Sequence, residues 1–283
     1  MAVIAATLVV AAFFLRPTAE NSSNQLFFVF AGTMIVAMVG AVDDLKTLGV
    51  VPRLLFQLIC VALVVYALPS DLRILPMIPH LLERALILFG GLWLVNLVNF
   101  MDGIDWMTVA EVVPLTIGIA LFGLMGALPW NAALVALSLC GALIGFAPFN
   151  RPAARLFLGD VGSLPIGLLL VWLLTQLASL HLTAALLLPL YYVADSTITL
   201  VDRALRREPV QKAHRRHFYQ QAMDSGMGVY QILGSVFIAN LVLITLAAIT
   251  VYYSSYLVHA IALAAGCTIV GLLLFSFRRN AVN

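Results

Sequence analysis

The chain has 283 residues, of which 63% are hydrophobic and 10% charged, and its mean hydropathy is +1.06. A soluble domain carries about 25% charged residues, so this composition excludes a soluble globular protein and indicates an integral membrane protein. The net charge of +2 is too small to indicate a nucleic-acid partner. Cys60, Cys140 and Cys267 are an odd number without metal-ligand spacing, so we interpret them as packing residues.

Ten apolar segments along the chain are predicted to cross the membrane as helices, because a backbone in lipid must satisfy its own hydrogen bonds. The first follows no basic region and is therefore interpreted as a span rather than a signal peptide. The sequence thus predicts one all-α polytopic membrane domain over 1–283. The predicted spans are 1–15, 26–42, 54–68, 85–99, 108–125, 131–149, 162–178, 182–200, 229–252 and 255–276.

The distribution of basic residues predicts the orientation. With a cytoplasmic N-terminus, only Arg16, Arg73 and Arg84 face outward, which agrees with the positive-inside rule. Both termini and nearly all the unusual polar clusters are then cytoplasmic. The basic residues predicted to face the cytoplasm are Lys46, Arg53, Arg151, Arg155, Arg203, Arg206, Arg207, Lys212, Arg215, Arg216, Arg278 and Arg279.

The second span ends in AVDDLK, where Asp43 and Asp44 are adjacent. Two neighbouring carboxylates at a membrane edge repel each other and need a cation, a metal or water to compensate them. Two interpretations stay open at this point. The pair is either a functional site or a solvated helix end balanced by Lys46.

The fourth span runs into NLVNFMDGIDW, residues 96–106. Asn99, Asp102 and Asp105 recur every three residues, so a continuous helix would place them on one face. Gly103 favours instead a helix break, which would place Asp105 in a turn. In both cases several polar groups converge at a membrane boundary.

Asp160 stands in FLGDVGS, just before the seventh span. The flanking glycines let the backbone approach a ligand closely, and a helix N-terminus there would suit phosphate. A carboxylate at this place could hold Mg²⁺ that bridges diphosphate oxygens. The alternative is an ordinary helix cap, because Asp, Gly and Ser are common capping residues.

Asp195 interrupts the eighth span, where an acid is a functional candidate or a structural partner for an arginine such as Arg203. Farther on, His214 and His217 flank two arginines in AHRRH and could share one face of a helix. This run could bind phosphate through charge-assisted hydrogen bonds, or anchor the chain on anionic lipid.

Together these clusters place acids for a divalent metal, bases for phosphate and amides for a polar ligand on one side of the membrane. That combination is typical of phosphoryl or phosphosugar transfer, where catalysis consists mainly of positioning and charge neutralisation. It fits a transporter less well, because transporter sites lie near the middle of the bilayer.

The same motifs resemble, in order, those of the polyprenyl-phosphate N-acetylhexosamine-1-phosphate transferases, which include the phospho-MurNAc-pentapeptide translocase of peptidoglycan synthesis. The matching sequences are VDDLK…RLLFQ, NxxNxxDGID, FLGDVGS and HRRHFYQQA, which span residues 43–222. The HRxHxYQ form is closer to the branch that initiates O-antigen synthesis than to the peptidoglycan enzyme.

The resemblance implies an enzyme of the bacterial cytoplasmic membrane that requires Mg²⁺, with Mn²⁺ as the alternative ion. It implies that undecaprenyl phosphate attacks the β-phosphate of a UDP-N-acetylated sugar, that UMP leaves, and that a lipid-linked diphospho-sugar begins a cell-envelope polysaccharide such as the O-antigen of lipopolysaccharide. The sugar, a direct or covalent mechanism, and a homodimeric state stay open.

The resemblance also implies roles by position. Asp160 would bind the metal, Asp43 would activate or orient the lipid phosphate, and Asp44 would handle the diphosphate and the metal. Phe157 would stack on uracil, and Asn99 is a further candidate metal ligand. The implied substrate-binding residues are Asn96, Asn99, Asp102, Asp105, Phe157, Arg53, His214 and His217.

The chain departs from the family pattern in two ways. It lacks the extra first span and the D-x-P-x-x-R…P-R-G-G-G loop with which family members usually begin, so it is expected to start at the family's second span. It also has Trp106 where the family usually has glycine, and this indole is expected to narrow the pocket. The alternative functions are a non-catalytic or truncated family member and a transporter or lipid-binding protein.

Overall fold

The computed structural model describes residues 1–14, 20–209 and 214–280, without the side chains of 20–23 and 280. The described residues form eleven helices and no strand, which confirms the predicted all-α class. The helices are α1 (Ala2–Phe14), α2 (Glu20–Leu45), α3 (Val50–Ala67), α4 (His80–Met101), α5 (Met107–Leu124), α6 (Trp130–Phe146), α7 (Asp160–Leu187), α8 (Leu190–Leu205), α9 (Phe218–Asp224), α10 (Val229–Tyr252) and α11 (Tyr256–Asn280).

Seven of these helices are long and apolar enough to cross a membrane: α2, α3, α4, α5, α7, α10 and α11. The shorter apolar helices α1 and α6, together with α8, correspond to the other three predicted spans. The chain is therefore a polytopic helical membrane protein. Its predicted boundaries agree with the helices to within a few residues at most ends.

Helix α7 is the central helix of the bundle and packs against α2, α4 and α10. Nearly all its side chains from Gly162 to Leu177 are buried, as expected for a helix that is apolar on every face. The outer helices expose large apolar side chains such as Phe13, Leu82 and Leu257. This distribution suits a bundle whose surroundings are hydrocarbon rather than water.

The stretch that runs from the seventh predicted span into the eighth is broken twice. His181 has non-helical dihedral angles (φ −140°, ψ 70°), which coincides with the predicted gap at 179–181. A second break follows at Leu188 and Pro189, and α8 begins only at Leu190. The predicted continuous span 182–200 is therefore wrong at its start, because Pro189 cannot donate the amide hydrogen bond that would continue the helix.

Successive helices run in opposite directions, so α2, α4, α6, α8 and α11 all end at the edge where α3, α5, α7 and α10 begin. We call this edge the site face, because it carries all the predicted polar motifs. Helix α4 ends at Met101, so Asn99 lies in its last turn while Asp102 and Asp105 lie in the following loop. The prediction of a helix break is confirmed, and the alternative of one shared helical face is wrong.

Gly103 lies where α9 approaches this loop most closely. A β-carbon at Gly103 would lie 2.1 Å from the hydroxyl oxygen of Tyr219. That hydroxyl donates a hydrogen bond to the carbonyl oxygen of Phe100, at 3.4 Å. Glycine is therefore needed here to admit a neighbouring side chain.

Candidate active site

Asp43 is the buried member of the acid pair that ends α2. One carboxylate oxygen accepts the amide of Leu48 at 2.6 Å, and the other accepts a bond from Nη1 of Arg53 at 3.2 Å. Arg53 lies in the first turn of α3. The short loop between α2 and α3 thus donates a backbone hydrogen bond to Asp43. The Arg53 guanidinium compensates the negative charge of this carboxylate.

Asp160, the first residue of α7, lies opposite Asp43 across the same guanidinium. Its Oδ2 is 3.7 Å from Nη1 of Arg53, and its Oδ1 accepts a bond from Nδ2 of Asn99 at 2.7 Å. Asn99 also donates to the hydroxyl of Ser163 at 2.9 Å. The carboxylates of Asp43 and Asp160 lie within hydrogen-bonding reach of each other. We call Asp43, Arg53, Asn99 and Asp160, which come from four helices, the four-helix centre.

Asp44 has a different environment from Asp43. Its two carboxylate oxygens accept the backbone amides of Asp160 and Val161, at 3.0 and 3.1 Å. Asp44 therefore caps the N-terminus of α7 although it belongs to α2. The backbone amides at this N-terminus, which we expected to suit phosphate, donate to the Asp44 carboxylate instead. Asp160 is not itself the cap, because the N-cap residue is Gly159, which has φ +64° and lies against Asp44.

The two histidines lie in the segment just before α9 and not on a helix, so the predicted shared helical face is wrong. Their rings stack with centroids 5.0 Å apart. Nδ1 of His217 is 3.0 Å from Oδ1 of Asp195, which also accepts the backbone amide of Phe218 at 3.1 Å. Asp195 thus holds the histidine segment in place. Burial, together with the positive charge of neighbours such as Arg203, lowers the pKa of His214 to about 4, so its imidazole is neutral at pH 7.

A groove of about 1030 Å³ runs between α3, α4 and α8 and reaches both the four-helix centre and the two histidines. Its polar end is formed by Arg53, Asn99, His214 and His217. Its length is predominantly apolar and extends along the helices away from the site face. The apolar residues that line it include Leu54, Phe89, Leu92, Trp93, Leu200 and Val201.

Asn96 lines the same groove but is engaged by its neighbours. Its Nδ2 donates to Oε1 of Gln57 and to the carbonyl oxygen of Leu92, both at 2.8 Å. Indole Nε1 of Trp93 donates to the hydroxyl of Thr197 at 3.3 Å and so links α4 to α8. These polar contacts hold the walls of the groove.

Asp105 and Trp106 tie the α4–α5 loop to the α6–α7 loop. Oδ2 of Asp105 accepts the amide of Ala154 at 3.0 Å. The backbone amide of Trp106 donates to Asn150 at 2.9 Å, and its indole donates to the carbonyl oxygen of Ala147 at 2.6 Å. Trp106 has φ +65°, in the left-handed region where glycine is the favoured residue. Its indole does not line the groove, so the expected narrowing does not apply there.

Asp102 and Phe157 lie on these same two loops. Asp102 accepts a hydrogen bond from the hydroxyl of Thr108, and burial raises the pKa of its carboxyl to about 7. The Phe157 side chain is 73% exposed on the α6–α7 loop. Asp102 and Phe157 thus lie on the loops that follow α4 and precede α7, and Asp102 is close enough to Asp160 for their charges to interact.

Sequence reasoning missed several residues that organise this site. Asn150, Gln57 and Ser163 bind predicted site residues directly. Gln57 and Ser163 are polar groups within predicted spans, where such groups are costly, and this cost is the signal that could have found them. Among the cysteines, Cys60 and Cys140 are buried as predicted, whereas Cys267 is exposed.

The residues available for a metal are mainly carboxylates. Asp43 and Asp160 face each other, and the Asn99 amide adjoins Asp160. Across the ranges that the structure describes, no three His, Cys, Asp or Glu side chains group closely enough for a complete metal cage. The oxygen donors present suit Mg²⁺, which is commonly held by one or two carboxylates together with substrate phosphates.

The sequence is similar to known membrane transferases. The family described as glycosyl transferase family 4 matches residues 26–178. A probable undecaprenyl-phosphate N-acetylglucosaminyl 1-phosphate transferase of Bacillus subtilis is 24% identical over 254 residues, 84% of this chain and 70% of that protein. A phospho-N-acetylmuramoyl-pentapeptide-transferase of Streptococcus agalactiae is 30% identical over 186 residues, 59% of this chain and 54% of that protein.

A shorter match is the phospho-N-acetylmuramoyl-pentapeptide-transferase of Enterococcus faecalis, which is 41% identical over 86 residues, 28% of this chain and 25% of that protein. The chain thus matches only part of the length of each relative. The matched region 26–178 contains the whole four-helix centre, and it confirms the resemblance that the motifs indicated. The chain belongs to glycosyl transferase family 4.

Proposed function

We propose that this protein transfers a sugar-1-phosphate from a UDP-N-acetylated sugar to undecaprenyl phosphate. The observation that carries the proposal is the continuity of the apolar groove with the four-helix centre. A polyprenyl phosphate is a long apolar chain with an anionic end. The groove likewise has a long apolar part and one polar end that contains Arg53. The Bacillus relative is a probable undecaprenyl-phosphate N-acetylglucosaminyl 1-phosphate transferase, which supports undecaprenyl phosphate as the acceptor and an N-acetylated sugar-1-phosphate as the transferred group.

The lipid phosphate would bind where Arg53 and the two histidines meet the groove. The Arg53 guanidinium is one of the fixed donors there that can pair with phosphate oxygens. The prenyl chain would follow the apolar wall past Leu92 and Phe89. Asp43, held by Leu48 and Arg53, would orient the phosphate at the end of the groove.

The nucleotide sugar would approach the four-helix centre from the loop side. Phe157 offers an exposed ring for the uracil, and aromatic stacking of a base contributes about 1–3 kcal/mol. Asn99, Asp102 and Asp105 stand next to this approach. Magnesium would be held by Asp160 and Asp43 with the diphosphate oxygens, and would neutralise charge that develops on the phosphates.

In the reaction, an oxygen of the lipid phosphate forms a bond to the β-phosphorus of the UDP-sugar. The bond from that phosphorus to the oxygen bridging the α-phosphate breaks, and UMP leaves with this oxygen. The sugar–phosphate bond stays intact, so the product is a lipid diphospho-sugar. The protein's part is to hold the two anions in line and to exclude water by burying the lipid phosphate.

We also propose that the site face is cytoplasmic, with both termini on that side, and that the membrane is the bacterial inner membrane. The support is the charge distribution, because 12 of the 15 basic residues belong to the site-face segments and termini. The product would begin a cell-envelope polysaccharide, with O-antigen synthesis as one setting.

The test is UMP release by purified protein supplied with Mg²⁺, undecaprenyl phosphate and a panel of UDP-sugars. We expect release only when lipid phosphate and one N-acetylated UDP-sugar are both present. The matched variants are Arg53→Gln, which loses the groove's cation, and Arg155→Gln, which removes an exposed arginine of the α6–α7 loop. Binding of both substrates without any UMP release would instead support the lipid-binding alternative.

A further inference from the structure

A second pocket lies on the opposite side of α8 from the groove. It has a volume of about 380 Å³ and is enclosed by the end of α8, by α9 and by the end of α11. Three arginines line it, namely Arg206, Arg216 and Arg278, and Ile198 and Phe218 give it an apolar edge. The four-helix centre contributes no residue to it.

The pocket has spare positive charge. Arg206 pairs with Asp202 at 2.9 Å, but both side chains are more than half exposed, and such pairs contribute little energy. Arg216 pairs with Glu208. Within the described parts of the chain, Arg278 makes no ion pair or hydrogen bond. An anion placed here would gain one guanidinium without a partner, that of Arg278, and one whose present pair is weak, that of Arg206.

The position of the pocket indicates which anion fits. Arg278 lies in the last turn of α11, a helix apolar enough to cross the membrane, so it lies at the level where the spans leave the hydrocarbon. Ile198 lies two turns before Arg206 on α8 and is 48% exposed. A ligand would therefore meet arginines at its head and apolar side chains along its tail.

We propose that this pocket binds the headgroup of an anionic glycerophospholipid, with its phosphate at the three arginines and its acyl chains along α8 and α11. Arg216 and Phe218 flank His217, which lines the polar end of the groove. Thr199 of the pocket wall also bonds to Asp195, which holds His217. A bound headgroup would thus stabilise the histidine segment. The relevance of this effect to catalysis rests on the proposed function, whereas the binding of the lipid headgroup does not.

The test measures lipid binding without any UDP-sugar. Delipidated protein in detergent is titrated with phosphatidylglycerol or with phosphatidylcholine of the same acyl chains, and bound lipid is counted by native mass spectrometry. We expect the wild type to retain phosphatidylglycerol in preference. The double variant Arg206→Gln/Arg278→Gln should weaken this binding by about tenfold or more.

The matched control is Arg207→Gln/Arg279→Gln, which removes the same charge from exposed neighbours that do not line the pocket. We expect it to change binding by less than about twofold. Arg278→Gln alone leaves no carboxylate unpaired, so a partial loss in that variant supports the proposal even if the double variant unfolds.

Three results would overturn the proposal. Equal loss in the pocket and control variants would mean diffuse surface charge. Full competition by glycerol-3-phosphate would mean a site for free phosphate. In a parallel titration with undecaprenyl phosphate, a pocket variant that loses this lipid while keeping phosphatidylglycerol would assign the pocket to the substrate. Since no turnover is measured, failure of the proposed function leaves this experiment unaffected.

Discussion

At the level of single residues, Arg53 lies between two carboxylates and contacts both. Its Nη1 is 3.2 Å from Asp43 and 3.7 Å from Asp160. One cation cannot fully compensate two facing anions, so this arrangement opposes folding slightly and favours a further cation. Clusters of this kind are typical of sites that serve function at some cost in stability.

The first prediction concerns Asp160→Asn. The amide keeps the shape of the side chain but loses a negative charge and a metal ligand, so we expect UMP release to fall by about 100-fold or more. The melting temperature should stay the same or rise, because repulsion from Asp43 is relieved. The control is Asp71→Asn, which changes an exposed acid at the opposite edge. Full activity of Asp160→Asn would refute the assigned role.

The second prediction follows from the lowered pKa of His214, about 4 against an ordinary 6.5. Between these values the unfolded chain takes up a proton that the folded chain does not. This part of the stability is therefore present above about pH 6.5 and lost as the pH falls toward 4. His214→Gln should reduce the fall in melting temperature over this range.

Melting curves of the detergent-solubilised protein across that pH range provide the measurement. His80→Gln, a substitution of an exposed histidine at the opposite edge, is the matched control. If His214→Gln and the wild type lose stability in parallel, His214 is not held neutral by its surroundings.

Trp106 illustrates what a single residue's sequence can and cannot predict. The resemblance led us to expect glycine at this position, and glycine is the residue that the left-handed backbone would suit best. The direction of the indole was not predictable, because its acceptor, Ala147, lies 41 residues away. A non-glycine residue in this conformation costs about 1–3 kcal/mol, which the bonds to Ala147 and Asn150 offset.

At the level of elements, the site depends on the close approach of α2 to the start of α7. Gly40 makes this approach possible, since a β-carbon there would lie 2.4 Å from the carbonyl oxygen of Asp160. Gly159 contributes through its positive φ and its contact with Asp44. The two carboxylates of the four-helix centre are aligned by this helix contact.

The third prediction is therefore that Gly40→Ala separates the two helices. The backbone of α7 cannot yield at this contact without moving Asp160, so we expect the melting temperature to fall and activity to drop by about 100-fold. Gly141→Ala on α6 is the matched control, because nothing lies within 4 Å of its new methyl group. Equal behaviour of the two variants would show that the helix contact is not needed.

Most helix positions could be predicted from the sequence because apolar runs and polar ends mark them directly. The cap on α7 could not, because Asp44 and Asp160 are 116 residues apart and their pairing exists only after folding. Pro189 could have indicated the helix break, but the apolar residues on both sides of it led us to predict one continuous span. Local signals thus predicted the elements, and long-range contacts decided their ends.

At the level of the whole molecule, the antiparallel helices bring four distant motifs to one face. The alternation of predicted spans and the distribution of basic residues were sufficient to predict that these motifs lie on one side of the membrane. The sequence did not predict the arrangement around α7, because helices of similar apolar composition carry little information about which neighbours they choose. The groove on one side of α8 and the arginine pocket on the other follow from that arrangement.

The fourth prediction concerns orientation in the membrane. The native cysteines are replaced by alanine, and a single cysteine is introduced by Arg151→Cys or by Asp71→Cys. Residue 151 lies on the site face, and residue 71 lies at the opposite edge. A maleimide that cannot cross the inner membrane should label Asp71→Cys in intact cells, and Arg151→Cys only after permeabilisation. The reverse pattern would place the site outside the cell.

The fifth prediction tests the central claim, transfer of a sugar together with its phosphate. Purified protein in liposomes with undecaprenyl phosphate and Mg²⁺ is given the UDP-sugar that supports UMP release, labelled in one reaction at the β-phosphate and in another at the α-phosphate. We expect the β-label in the lipid product and the α-label in UMP, with both lost in Asp160→Asn. Lipid that gains the sugar without the β-label, or no labelled lipid with any UDP-sugar, would contradict the account.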